Sequence, residues 1–184
     1  MKKTYFVVTI IGPDKRGLVA DVTETILEND ASIEESHMMR LGGEFAMMML
    51  IALPKGQYEK CCQNLEKFKE EGLEVFSRET DLARLEKFQG FVPYEISVWG
   101  ADHAGIIHAV ADYLSEAHVQ VEDIETHVTK APLSGAPLFS MNAMVQVPPD
   151  LALPEFREEL EDLGDELGVD IDVKMRRSEE RRVG

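Results

Sequence analysis

The chain has 184 residues, 44% of them hydrophobic, and a formal net charge of −16. Such a composition supports a packed core and excludes a disordered chain, and the length allows one ordinary domain or two small ones. The charge argues against direct contact with nucleic acid, which requires Lys and Arg on phosphates, and against an anionic membrane surface.

Residues 4–11 are β-branched and aromatic and predict a strand. The run resembles a secretory signal only briefly, because Pro13, Asp14, Lys15 and Arg16 follow at once. A tight turn is expected through Gly12, Pro13 and Asp14. From Gly17 to about Asn29, Leu18, Val19, Val22 and Ile26 mark one face of a helix. Residues 32–41 and 44–53 read as two strands joined by Gly42-Gly43, a hairpin signal. Tyr58, Cys61, Leu65 and Phe68 then predict a helix over 57–71 that Gly72 ends, and 73–79 a last strand. Residues 81–91 read as a linker.

The same order follows again. Strands are expected at 93–100, 119–129, 138–147 and 169–175, and helices at 105–117 and 154–166. Gly12 aligns with Gly100 at an offset of 88, which also pairs Asp14 with Asp102, Gly17 with Gly105 and Glu34 with Glu122. An insertion around residues 129–137 shifts the later matches, so that Phe45 falls on Phe139 and Pro54 on Pro148. The chain is thus a duplication of a βαββαβ unit. Its fold class is α+β: two ferredoxin-like units, each an antiparallel sheet with its helices on one face. The expected domains are 1–80 and 92–176, with a frayed tail at 177–184. No stretch approaches the roughly 20 apolar residues of a membrane span.

Cys61 and Cys62 are adjacent and build neither a disulfide framework nor a C-x-x-C site, which points to a reducing, cytoplasmic setting. Cys61 falls on an apolar helix face and reads as core. His103 and His108 lack the companions of a metal site, and His37 and His127 read as surface residues. Met47, Met48 and Met49 read as core and sheet filler. No nucleophile–base pair or phosphate-binding lysine loop is present, so no enzyme activity and no cofactor are expected.

The two strand–helix turns remain as candidate sites. Gly12 permits unusual backbone angles or a close approach, and Asp14 is a short acceptor. The N–H groups of Gly17, Leu18 and Val19 are candidate unpaired donors of a first helical turn. Together they suit the two charges of a free amino acid. A helix end supplies only about 0.3–1 kcal/mol when exposed, whereas micromolar binding needs roughly 8 kcal/mol. A second domain or subunit must therefore close the site. The alternative is a capped turn that holds no ligand.

A βαββαβ unit whose first loop reads G-x-D-x-x-G-[LI] resembles an ACT domain. Two of them in a chain of this length resemble the glycine cleavage system transcriptional repressor family. The resemblance spans about Thr4 to Met175. It implies a ligand between two domains, held by the first loop of one and the second-strand start of its partner. The loop positions are Gly12, Asp14, Gly17 and Leu18, repeated as Gly100, Asp102, Gly105 and Ile106. The second-strand positions are Ser32 and Gln120. Members that bind amino acids often carry Asn where this chain has Asp14, Asp102, Ser32 and Gln120. The implied function is regulatory: a small amino acid of the glycine or serine class binds and alters a partner protein, a transcription regulator or a metabolic enzyme. Two other readings stand beside it. One is a ligand-free assembly module of the same fold. The other is an RNA binder or enzyme, disfavoured by acidity and a methionine-rich central strand. Open sheet edges and apolar strands lead to the expectation of a homodimer.

Overall fold

The computed structural model describes residues 3–81 and 90–176. The chain divides into two compact units, residues 1–86 and 87–184. Most of the expected linker and all of the tail lie outside the described residues.

The first unit comprises β1 (Lys3–Pro13), α1 (Leu18–Leu27), β2 (Ser32–Leu41), β3 (Glu44–Pro54), α2 (Tyr58–Glu66) and β4 (Glu74–Thr80). Its sheet has the order β2-β3-β1-β4 and every pairing is antiparallel. The second unit repeats this with β5 (Val92–Ala101), α3 (Ile106–Glu116), β6 (Gln120–Lys130), β7 (Pro137–Val147), α4 (Leu153–Leu167) and β8 (Val169–Met175). Its order, β6-β7-β5-β8, is the same. These are the two ferredoxin-like units that the duplicated pattern predicts.

Alternation along the strands sets the core. Phe6, Val8 and Ile10 are buried against Met47, Met49 and Ile51 from β3, with Leu18, Val22 and Ile26 of α1 and Cys61 and Leu65 of α2 above them. Tyr94, Ile96 and Val98 do the same in the second unit, under Ile106, Val110, Phe156 and Leu160. Met48, between two buried methionines, faces outward. Cys61 is core, as its helical position implies. Burial, and then the neighbouring Cys62, push its thiol up to about 11, so it stays protonated and inert at neutral pH.

Several local expectations need correction. β1 does not stop at Ile11: it runs through Gly12 and Pro13, which stay paired with Phe45 and Glu44. The turn therefore begins at Asp14. The helix over 57–71 is α-helical only to Glu66, and Lys67–Glu71 tighten into a 3-10 turn before Gly72. β2 and β6 each carry a bulge at the same place, between Ile33 and Glu35 and between Val121 and Asp123. The insertion in the second unit lengthens its hairpin, closed by Ala131 N–H to Ala136 carbonyl at 2.8 Å.

Gly12 and Gly100 lie at β-strand positions without positive φ. They are needed for space instead. A Cβ on Gly100 would sit 2.8 Å from Val169 Cγ1 and 3.0 Å from Val169 Cα. On Gly12 it would sit 2.6 Å from Leu73 Cδ2 and 3.2 Å from the Gly72 carbonyl oxygen. The close approach is made by the start of the unit's own fourth strand, which by itself accounts for a glycine at each position. Gly100→Ala is expected to destabilise its unit by about 1–3 kcal/mol, in the range of overpacked cores. Gly12→Ala is expected to cost less, because its closest clash is with a movable side-chain end. Urea denaturation of both variants, followed by circular dichroism, measures the difference.

Candidate functional site

Each strand–helix loop is fixed at three points. The Asp14 N–H donates to the Gly43 carbonyl at 3.1 Å, and the Asp102 N–H to the Pro137 carbonyl at 3.1 Å. This anchors the loop to the neighbouring hairpin. Gly17 and Gly105 then take φ of 89° and 101°, a left-handed conformation that a side chain would strain, and each starts its helix. The third point is the residue after the aspartate. Lys15 pairs with Glu71 at the end of the 3-10 turn. His103 Nε2 lies 2.8 Å from the carbonyl of Leu167, the last residue of α4. Both units thus latch the loop to the residue preceding a left-handed glycine, Gly72 or Gly168, by different chemistry.

The donor set is smaller than the sequence suggests. The Leu18 N–H is already given to the Lys15 carbonyl at 3.2 Å. Asp14 faces Arg40 of β2, whose Nη1 lies 3.6 Å from its carboxylate, both groups being largely in solvent. Such an exposed pair contributes at most about 1 kcal/mol.

The second loop is furnished differently. Asp102, His103, Gly105, Ile106, Thr126 and Val128 line a depression of about 530 Å³ that is open to solvent. Phe139 and Ala111 add apolar wall, and His108 a second imidazole. Register pairs Val128 with Phe139 as it pairs Arg40 with Phe45. The second unit therefore has Val128 where the first has Arg40. Asp102 makes no side-chain hydrogen bond or ion pair among the described residues.

Of the residues singled out from the sequence, Asp102, Gly105 and Ile106 meet in one place. Gly100 lies behind them, packed on Val169. Ser32 and Gln120 stand apart. Ser32 aligns through Ala52 with Tyr5, and Gln120 through Gln146 with Pro93, at the far ends of the central strands. Eight residues of strand separate each from its own loop, roughly 26 Å at the usual rise. A single unit cannot join both halves of the site that the resemblance implies. The Ser32 hydroxyl donates to Glu34 Oε1 at 3.0 Å, and the Gln120 amide to the Val121 carbonyl at 2.9 Å.

Two residues went unrecognised as candidates. Glu34 and Glu122 are the bulged residues at the second-strand starts. Lys3 and Ser32 hydrogen-bond to Glu34 and hold its carboxyl below the usual range. The Gln146 amide donates to Glu122 at 2.9 Å. Their match across the repeat was the signal available. Among the described residues, no group of three or more His, Cys, Asp or Glu is placed to hold a metal ion. No described helix is long and apolar enough to cross a membrane.

Fold, repeat and paired loops define a tandem regulatory module of two like domains. The chain belongs to the ACT domain family, whose model matches residues 4–77 and 95–174. A UPF0237 protein of Methanopyrus kandleri is 35% identical over 80 residues, 43% of this chain and 82% of that protein. One from Methanocaldococcus jannaschii is 33% identical over 79 residues, 41% of this chain and 88% of that protein. Each corresponds in length to one unit. Among solved structures, an unknown protein from Galdieria sulphuraria is 30% identical with a TM-score of 0.81, covering 96% of this chain and 100% of that one. A protein provisionally assigned as a glycine cleavage system transcriptional repressor has a TM-score of 0.72 over 96% of this chain and 99% of its own. At 17% identity that likeness shows the fold.

The His103 latch titrates. Nδ1 also lies 3.1 Å from the Ala104 carbonyl. Carbonyls only accept, so both contacts are hydrogen bonds only when both ring nitrogens are protonated. The Ala104 and Leu167 carbonyls, helped by Asp102, raise its pKa above the ordinary 6.5. A raised folded pKa means that the paired hydrogen bonds are present at low pH and that one of the two is lost as pH rises through that value, the neutral ring keeping a single donor. Amide exchange in the Asp102–Gly105 loop, corrected for base catalysis, is expected to quicken as pH rises through the raised His103 pKa. His103→Gln should abolish that step. The Lys15 latch, on a side chain with pKa raised from 10.5, should hold across the same interval.

Proposed function

We propose that the chain is a non-enzymatic regulatory protein that binds a small amino acid, glycine or serine in the first instance, and alters a partner protein in the cytoplasm. The observation that carries this reading is the depression at the second loop. It joins an unpaired carboxylate, Asp102, to a glycine-opened helix start with apolar walls. The carboxylate suits the ligand ammonium. The helix start suits the ligand carboxylate.

Closure comes from the second-strand start of another ACT unit, bringing Gln120 or Ser32 and a bulged glutamate to the ligand. The separation of these groups from the loop within one unit supports that arrangement. Ligand binding then favours one arrangement of units over another, by no more than its differential affinity. An acidic chain has no means of its own to hold DNA, so an effect on transcription runs through a DNA-binding partner.

One observation favours a second reading for the first unit alone. Asp14 is paired with Arg40 and Ser32 with Glu34, as in a loop that serves only assembly.

Calorimetric titration of the full chain with the twenty amino acids tests the proposal. Binding of at least one is expected. Asp102→Ala should weaken it about tenfold or more, the loss of one charge-assisted hydrogen bond of ~1.5–3 kcal/mol. Asp14→Ala should have the smaller effect. Absence of heat and of thermal shift for all twenty would refute amino-acid sensing.

A further inference from the structure

The two units differ most on the sheet face away from their helices. In the first unit this face carries Val7, Thr9 and Ile11 from β1, Met48 and Leu50 from β3, and Phe76 from β4. Phe76 is 62% exposed, Met48 54% and Met39, on β2, 55%. The duplicated unit acts as an internal control. Register and repeat place Glu95 where the first unit has Val7, Asn142 where it has Met48 and Asp172 where it has Phe76. The fold therefore does not require apolar side chains at these positions. A contiguous apolar patch that the fold does not need marks an interaction surface.

The charges on this face have an order of their own. One row across the sheet reads Arg78, Val7, Leu50, Glu35 from β4 to β2. The next reads Phe76, Thr9, Met48, His37. A cation stands at one edge of the apolar strip and an anion at the other. Arg78 has no ion pair among the described residues. Glu35 has only His37 Nε2 at 3.8 Å, on exposed side chains.

We propose that this face is a homodimer interface, in which the first-unit sheets of two copies pack face to face about a twofold axis running along the strands. Such an axis between β3 and β1 lays β4 of one copy over β2 of the other, and β1 over β3. Rows are conserved by the operation. Val7 then meets Leu50 of the second copy, Thr9 meets Met48 and Phe76 meets His37. Arg78 meets Glu35 at both ends of the strip. Aligned sheets pack at about 30°, so the two central rows stay opposed. An isologous contact needs a self-complementary patch, and this row order provides it. A polar, acidic face is a poor occupant. It would bury carboxylates beside Phe76 and Met48 without partners.

The strip is modest. Four strands about 4.8 Å apart and roughly 20 Å of strand length give a footprint of ~400 Å² per copy. The total of ~800 Å² lies below the range of stable specific interfaces, so a weak dimer that forms only at high concentration is expected. The inference does not rest on the amino-acid reading.

Sedimentation equilibrium of the full chain, from micromolar to several hundred micromolar, tests it. A reversible monomer–dimer equilibrium of the 20.7 kDa chain is expected. Phe76→Glu should abolish the dimer. Arg78→Glu and Glu35→Arg should each weaken it about tenfold, and the double exchange should restore most of the loss. All three positions are exposed or at the rim, and circular dichroism checks that each variant is folded. Restoration by the double exchange is the result that a non-specific apolar contact would not give. A wild-type chain that stays monomeric at the highest concentration overturns the proposal. So does a dimer untouched by Phe76→Glu, or a double exchange as weak as its parents.

Discussion

The first strand of each unit passes so close to the start of the fourth that Gly12 and Gly100 leave no room for a side chain. Much of the site depends on that approach. It brings the strand–helix loop within reach of the end of the second helix. There Glu71 and Leu167 hold Lys15 and His103. It also leaves Asp14 and Asp102 to be tied across to the hairpin. The left-handed glycines that follow then turn the chain into the first helix. The loop is thus tied to the hairpin and to the junction of second helix and fourth strand.

On this shared frame the two copies have been furnished differently. The first loop has Arg40 against its aspartate and Lys15 in an ion pair. The second has Val128 where Arg40 stands and His103 on carbonyls, with an open depression beside Asp102. The sheet faces diverge in the opposite sense. The first is largely apolar, whereas the second mixes Trp99 and Met144 with Glu95, Asn142, Asp170 and Asp172. Under the two proposals made above, duplication has separated two tasks, with ligand binding assigned to the second unit and association to the first.

Much of this was legible in the sequence. The repeat at an offset of 88 gave element order and domain class, because periodicity and turn glycines are local signals. Gly17 and Gly105 were recognisable for the same reason. Gly12 reads from the sequence as a place for unusual angles or a close approach; the approach is present, but its partner, Leu73, lies about sixty residues downstream. Nothing local to Gly12 encodes that contact. Leu18 looked like a free donor because its acceptor, the Lys15 carbonyl, depends on how the loop curls. The bulges at Glu34 and Glu122 escaped for a similar reason: an extra residue in a strand shows only in the pairing. The repeat of the glutamate was visible, but its meaning was not.

Everything proposed for the second loop depends on its receiving an amino acid. The most direct measurement is a two-dimensional amide NMR titration of the full chain with glycine and with L-serine at millimolar concentration. On that reading, saturable shifts centred on Asp102, Gly105 and Ile106 are expected, with smaller changes at the second-strand starts. Unchanged amides across residues 102–107 with both ligands, in a protein that remains folded, would contradict it.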